Sequence, residues 1–251
     1  MNIQGHSVFI TGVSSGIGLS LAQRALDLGY KVYGTSRRRP DRLLHNRNFR
    51  FASIDLLQLD LLEQNLEGFL NLEYPPCFDF VFLNAGSFGS RPSRGEDNSL
   101  DAFKDIFSLN LHSNKIIIDY FMRRKLPVKN YVVSSSIASV RQRAGMLAYA
   151  SSKAALNAMI SVYALENRDI FFALLGLCNV DTKLAKTIMD VDETFPELFE
   201  LKKRARQTGY IVSPDQRAAN IFKVILNREE FGLKSGVFTE IRSLLSKQHA
   251  A

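Results

Sequence analysis

The chain has 251 residues, 46% of them hydrophobic and 10% aromatic, enough to build one large α/β domain, which excludes a disordered chain. Its 32 Lys and Arg against 25 Asp and Glu leave a charge of +7, which attracts anionic partners or simply solvates the surface. Cys77 and Cys178 are too isolated for a disulfide framework or a metal cluster and suit a reducing compartment. Met1–Ser7 lacks the charged and apolar regions of a signal peptide, and no apolar run approaches the ~20 residues of a membrane helix. A soluble, cytoplasmic, membrane-free protein is expected, with no bound metal.

The predicted elements alternate. Ser7–Thr11 reads as a buried strand, followed by a glycine turn and an amphipathic stretch from Ile17 to Leu28. Lys31–Thr35 and Phe49–Ile54 are the second and third strands, and Leu57–Leu72 has apolar residues at helical spacing. Phe78–Leu83, Asn130–Ser134 and Ile170–Leu175 are three further strands. Long helical patterns fill Leu100–Arg124 and Leu147–Asn167, and another helix starts near Pro214. Strands apolar on both faces, alternating with helices, imply a parallel sheet covered on both sides. The fold expected is a single doubly wound α/β (Rossmann) domain over residues 1–251. Right-handed crossovers then bring every strand's C-terminal end to one edge. Lys183–Gly209, charge-rich and irregular, is expected to be a mobile substrate-loop region.

The first such edge carries Thr11-Gly12-Val13-Ser14-Ser15-Gly16-Ile17-Gly18. Gly12 permits the tight turn, Gly16 lets the backbone approach a pyrophosphate, and Gly18 allows close helix–sheet packing. Ser14, Ser15 and Ile17 sit where phosphate oxygens meet a helix N-terminus. A strand before it and a helix after it give the pattern the context it needs. The second strand ends Thr35-Ser36-Arg37-Arg38-Arg39. A carboxylate there would hold the adenine ribose hydroxyls; Ser36 and Arg37 suit a 2′-phosphate instead. NADP(H) is therefore expected over NAD(H). Asp55 and Leu56, ending the third strand, stand where an adenine would lie.

Tyr149 and Lys153 are spaced i to i+4 and share one helix face. An adjacent ammonium is expected to lower the phenol's pKa from its ordinary ~10. Ser134-Ser135-Ser136 ends the fifth strand, close to where that helix begins.

Taken together, these motifs make the sequence resemble the short-chain dehydrogenase/reductase family over essentially its whole length. The matching pieces are Thr11–Gly18, Asp55, Asn84-Ala85-Gly86, Asn110, Ser136 and Tyr149-x-x-x-Lys153. The Ser136-to-Tyr149 interval selects Ser136 among the three serines. The resemblance implies catalytic roles for Asn110, Ser136, Tyr149 and Lys153. Tyr149 would exchange a proton with the carbonyl or alcohol oxygen, and Ser136 would hold that oxygen. Lys153 would bond the nicotinamide ribose, and Asn110 would hold a water linking Lys153 to solvent. It also implies that Asn84, Ala85, Gly86, Val180 and Thr182 meet the cofactor, Thr182 at the carboxamide. One departure stands out: Leu177-Cys178 replaces the Pro-Gly pair that usually follows the sixth strand. Cys178 is expected to be a small buried hydrophobe rather than a reactive thiol.

The function expected is hydride transfer between NADP(H) and a ketone, aldehyde or secondary alcohol. Substrate contacts would come from Phe88 and Arg91, from Arg141, Arg143, Met146 and Leu147, and from Leu184, Ile188, Met189 and Phe195. That mix suits a mainly hydrophobic carbonyl compound, with or without an acidic group. A non-catalytic NADP(H) sensor on the same fold is the alternative, though it would usually lose Tyr149 or Lys153. A sugar-nucleotide epimerase would generally need a longer C-terminal substrate domain. Nucleic acid as a partner rests on charge alone, since the basic runs at Arg37–Arg39 and Lys202–Arg206 lack interleaved aromatics. A homodimer or homotetramer through the two long helices is expected, with Ile116, Ile117, Leu156 and Ile160 fitting core or interface alike.

Overall fold

In the computed structural model, which describes residues 6–71 and 76–247, apolar strands alternate with helices in the order the sequence leads one to expect. The readings made of Met1–Gly5 and of Leu72 lie outside the described residues. The strands are β1 (Ser7–Thr11), β2 (Lys31–Ser36), β3 (Phe49–Ser53), β4 (Phe78–Leu83), β5 (Val128–Ser135), β6 (Phe171–Gly176) and β7 (Thr239–Glu240). They form one parallel sheet in the order β3-β2-β1-β4-β5-β6-β7. The chain is a doubly wound Rossmann-type domain, and its switch point lies between β1 and β4, where such sheets open a crevice for a ligand.

The inner strands bury both faces, while the edge strands β3 and β7 are partly exposed. Val8 and Ile10 of β1, with Ala173 and Leu175 of β6, join one core; Phe9, Phe172 and Leu174, one residue out of phase, join the other. The first core is covered by α1 (Gly16–Asp27), α8 (Pro214–Leu226) and α9 (Ile241–Lys247). The second is covered by α2 (Leu59–Leu70), α4 (Ser113–Arg123) and α5 (Leu147–Glu166).

The stretch read as one helix from Leu100 to Arg124 is α3 (Leu100–Phe107), a π-helical turn at Ser108–His112, and α4. Hydrophobic spacing does not betray the extra residue that such a turn inserts, and π-turns concentrate at functional sites. Residues 183–209 contain two helices, α6 (Lys183–Ile188) and α7 (Pro196–Arg204). Thr182 caps α6 by accepting from the Ala185 amide at 3.3 Å. β7 and α9 have no counterpart among the predicted elements, since a two-residue strand is too short to show a period.

Candidate active site

The strand ends converge at the switch point. The Thr11 hydroxyl accepts from the amides of Asn84 and Ala85, both at 3.0 Å, tying the end of β1 to the chain leaving β4. Gly12 (φ +80°) and Gly16 (φ +57°) adopt conformations that side chains rarely take. A Cβ on Gly18 would lie 2.2 Å from the Gly12 carbonyl oxygen and 2.6 Å from Asn84 Nδ2, so only glycine lets α1 start this close to the turn. Ser15 is the N-cap of α1, yet its side chain makes no capping bond. The turn is thus an uncapped helix start with small residues around it, a cradle suited to a pyrophosphate. Thr182 closes its far wall, 3.3 Å from where a Gly16 Cβ would be.

At the end of β2 the Ser36 hydroxyl donates to the Arg38 carbonyl at 2.7 Å, shaping the turn that presents the arginines. Arg37 and Arg38 are exposed and in no ion pair among the described residues, whereas Arg39 lies 3.9 Å from Asp41. Asp55 accepts from the Leu57 amide at 3.1 Å, which turns the chain at the end of β3 and buries Leu56. These groups fit the adenosine end of a dinucleotide phosphate.

Tyr149 and Lys153 stand on the first turns of α5 and are buried, at 5% and 4% exposure. The Tyr149 ring packs on Phe88, centroids 5.3 Å apart. The Lys153 ammonium lies 6.0 Å from the centre of that ring and donates to the Ser134 carbonyl at 2.8 Å. The lowering of the phenol pKa expected from this neighbour is not what the site produces. Burial pushes the Tyr149 phenol above its ordinary value and outweighs a hydrogen bond with Ser136 that acts the other way. Burial also holds Lys153 down, at about 8. Both side chains are taken out of water and the ammonium spends its bond on a carbonyl, so desolvation wins.

Ser136 is held by a chain of hydrogen bonds that sequence reasoning missed. Ser135 donates to Asn157 Oδ1 at 2.6 Å, Asn157 Nδ2 donates to Ser139 Oγ at 2.7 Å, and Ser139 donates to the Ser136 carbonyl at 2.6 Å. Asn157 follows Lys153 by four residues, so the face shared by Tyr149 and Lys153 continues to it; that spacing was the available signal. Ser136 Oγ accepts from the Ala138 amide at 3.2 Å.

Asn110 lies in the π-turn, fully buried behind the tyrosine helix. Its Oδ1 accepts from the Ser87 amide at 2.9 Å, and its Nδ2 donates to the Ser87 carbonyl at 2.9 Å and to Ser152 Oγ at 3.0 Å. Both amide hydrogens are spent, so a water at Asn110 would have to use Oδ1 or the main-chain carbonyl. Gly86 runs beside it; a Cβ there would come within 3.1 Å of Asn110 Oδ1 and 3.6 Å of Lys153 Nζ.

Ser136, Tyr149 and Lys153 line one cavity of about 150 Å³, together with Ile17, Asn84, Gly86, Val180 and Thr182. Of the residues expected at the substrate, Arg143, Met146, Leu184, Ile188 and Met189 also line it. Phe195 and Leu147 instead line an outer cavity of about 490 Å³. Arg91 and Arg141 are exposed and line neither. Leu177 and Cys178 form part of the inner floor. Cys178 adopts φ +60°, the left-handed conformation a glycine would take, although no glycine stands there. Its thiol donates toward Glu240 Oε1 at 3.2 Å, and burial with that carboxylate pushes its pKa up, keeping it a thiol.

Known proteins share this fold. The family model described as short chain dehydrogenase matches residues 6–192. Benzil reductase ((S)-benzoin forming) of Bacillus subtilis (strain 168) is 25% identical over 244 residues, covering 94% of this chain and 98% of its own. An alcohol dehydrogenase from the archaeon Thermococcus sibiricus, complexed with 5-hydroxy-NADP, superposes with a TM-score of 0.70 at 22% identity over 94% of this chain and 95% of its own. A 3-ketoacyl-(acyl-carrier-protein) reductase from Brucella melitensis, complexed with NADH, does so at 0.75 with 18% identity over 94% and 96%. The two solved structures share the fold and hold different dinucleotides, so the choice between them falls to this chain's own residues. The chain belongs to the short-chain dehydrogenase family.

Proposed function

We propose that this protein is an NADP(H)-dependent carbonyl reductase or alcohol dehydrogenase in which Tyr149 exchanges the proton. The observation that carries this reading is the meeting of Tyr149, Ser136 and Lys153 in one cavity with Ile17, Val180 and Thr182. When bound, the dinucleotide supplies or accepts the hydride through its nicotinamide. Gly12, Ser14, Ser15, Gly16, Ile17 and Gly18 hold its pyrophosphate, and Asp55, Leu56, Asn84, Ala85 and Gly86 flank its adenosine half. Lys153 takes the nicotinamide ribose, and Val180 and Thr182 take the carboxamide. Exposed Arg37, in no ion pair among the described residues and in a turn shaped by Ser36, supports a 2′-phosphate and hence NADP(H).

The raised phenol of Tyr149 stays protonated at neutral pH. It is therefore ready to give its proton to the carbonyl oxygen during reduction and to take it back in the reverse direction. The Ser136 hydroxyl holds that oxygen and stabilises it as negative charge develops. Asn110 fixes Ser87 and Ser152 and so the backbone around Lys153. Leu184, Ile188 and Met189, from the segment 183–209, give the cavity an apolar side. Two free cysteines, Cys77 and Cys178, suit the cytoplasm. Among the described residues no helix is long and apolar enough to cross a membrane. Exposed Val162 and Leu165 on α5 support a homodimer or homotetramer.

Calorimetric titration with NADPH and NADH tests the cofactor assignment. NADPH is expected to bind at least about tenfold tighter, and Arg37→Ala to remove most of that preference. Equal affinities in the wild type would refute it.

A further inference from the structure

Two cavities meet beside the tyrosine, and Arg143 and Met146 line both. Arg143 therefore stands where the inner chamber, lined by Tyr149 and Ser136, adjoins the outer one of about 490 Å³. The outer cavity has an apolar side of Met146, Leu147, Ala150, Ala154 and Phe195, and its polar lining includes the paired Arg94 and Glu96 with Gln142, Ser151 and Thr194.

Arg143 differs from the other arginines around this mouth. Arg94 is paired with Glu96 at 2.5 Å, and Arg91 and Arg141 are exposed and line neither cavity. Arg143 is half-buried and makes no ion pair among the described residues. The charged and titratable groups facing it are Arg141 on its own loop, Glu197 and Arg204 on α7, and Tyr210 beyond that helix. Burial works most strongly against its charge, followed by Arg141 and then Arg204, while Glu197 and Tyr210 partly offset them. A guanidinium keeps its proton regardless, so this half-buried cation, with Glu197 nearby but in no ion pair with it among the described residues, stands charged where the two cavities adjoin.

We infer that Arg143 is an anion-recognising subsite and that the substrate is an oxo carboxylate with an apolar substituent. Its carbonyl lies at Tyr149 and Ser136, its carboxylate is held by the Arg143 fork, and its apolar group fills the outer cavity. This inference rests on the reductase reading for the fate of the carbonyl, but the binding of the anion does not depend on turnover.

The test compares 4-phenyl-2-oxobutanoate with its methyl ester, using NADPH oxidation for turnover and calorimetry on the NADP⁺-loaded protein for binding. Wild type is expected to favour the acid in kcat/KM by at least about tenfold, through KM, with the preference shrinking as salt rises. Arg143→Gln is expected to collapse the acid-to-ester ratio, Arg143→Lys to restore part of it, and Arg141→Gln to leave it in place. Acid and ester used alike by wild type, or a ratio untouched by Arg143→Gln, would overturn the subsite while leaving the reductase reading intact. Acid binding that needs Arg143, with turnover of neither compound, would uphold the subsite and count against the reductase reading. An acid that neither binds nor reacts overturns the subsite.

Discussion

Replacing Lys153 by methionine tests the electrostatics of the site through stability alone. The side chain is 4% exposed, and burial lowers its pKa from an ordinary 10.5 to about 8. At about 1.4 kcal/mol per tenfold change in ionisation, keeping the ammonium buried at neutral pH costs the folded chain about 3 kcal/mol. Methionine matches the stem and removes the charge, but leaves the Ser134 carbonyl, now 2.8 Å from Nζ, without its donor, at a cost of about 1 kcal/mol. Lys153→Met should therefore be more stable than wild type by about 2 kcal/mol at neutral pH. The sign with pH follows from the lowered pKa. Between about pH 8 and about pH 10.5 the unfolded chain binds the extra proton, so wild-type stability climbs with pH; below about pH 8 both states are protonated and the full penalty applies. The variant lacks that climb. The raised Tyr149 phenol contributes stability that is lost only above about pH 10, where the unfolded phenol ionises first. Urea unfolding followed by circular dichroism from about pH 7 to about pH 9.5 reads the difference cleanly. Parallel wild-type and variant curves, or a variant less stable at neutral pH, would refute the assignment of a strained buried ammonium.

Two further substitutions probe the frame around it. Gly18→Ala places a Cβ 2.2 Å from the Gly12 carbonyl oxygen, so thermal unfolding should show a loss of roughly 1–3 kcal/mol, with dinucleotide affinity falling alongside; a variant with unchanged affinity would mean that the turn is not the cradle. Asn157→Ala breaks the bonds to Ser135 and Ser139 and should cost roughly 1–3 kcal/mol. It should also lower kcat while leaving the NADPH dissociation constant unchanged, and an unaltered kcat would remove Asn157 from the positioning of Ser136.

Much of this molecule could be read from one sequence because the relevant signals are local. Strands buried on both faces are continuous apolar runs, and the motifs fall at their ends, so Gly12, Asn84 and Ser136 could be placed at one edge before any coordinates. What escaped depends on side chains meeting across the fold. Asn157 and Ser139 lie 18 residues apart, and Asn110 reaches Ser152 across 42; neither pairing leaves a periodic trace. The π-turn around Asn110 preserves the hydrophobic spacing of an ordinary helix. The balance at Tyr149 went the other way from the expectation because desolvation depends on packing by Phe88 and its neighbours, which spacing on α5 alone does not contain. The left-handed Cys178 is the converse case: the backbone keeps a glycine's conformation where the side chain has changed. Arg143 and Arg141 look equivalent in sequence, and only the cavities separate them.

Single-turnover reduction with NADPH deuterated at nicotinamide C4, with wild type and Tyr149→Phe over a panel of apolar ketones, aldehydes and oxo acids, tests the central claim most directly. The account predicts a deuterated alcohol from wild type, with the rate falling by about 10²–10⁴ when the phenol oxygen is removed and NADPH still binding. Wild type that binds NADPH yet delivers deuterium to none of these compounds, or a Tyr149→Phe variant that delivers it as fast, would contradict it.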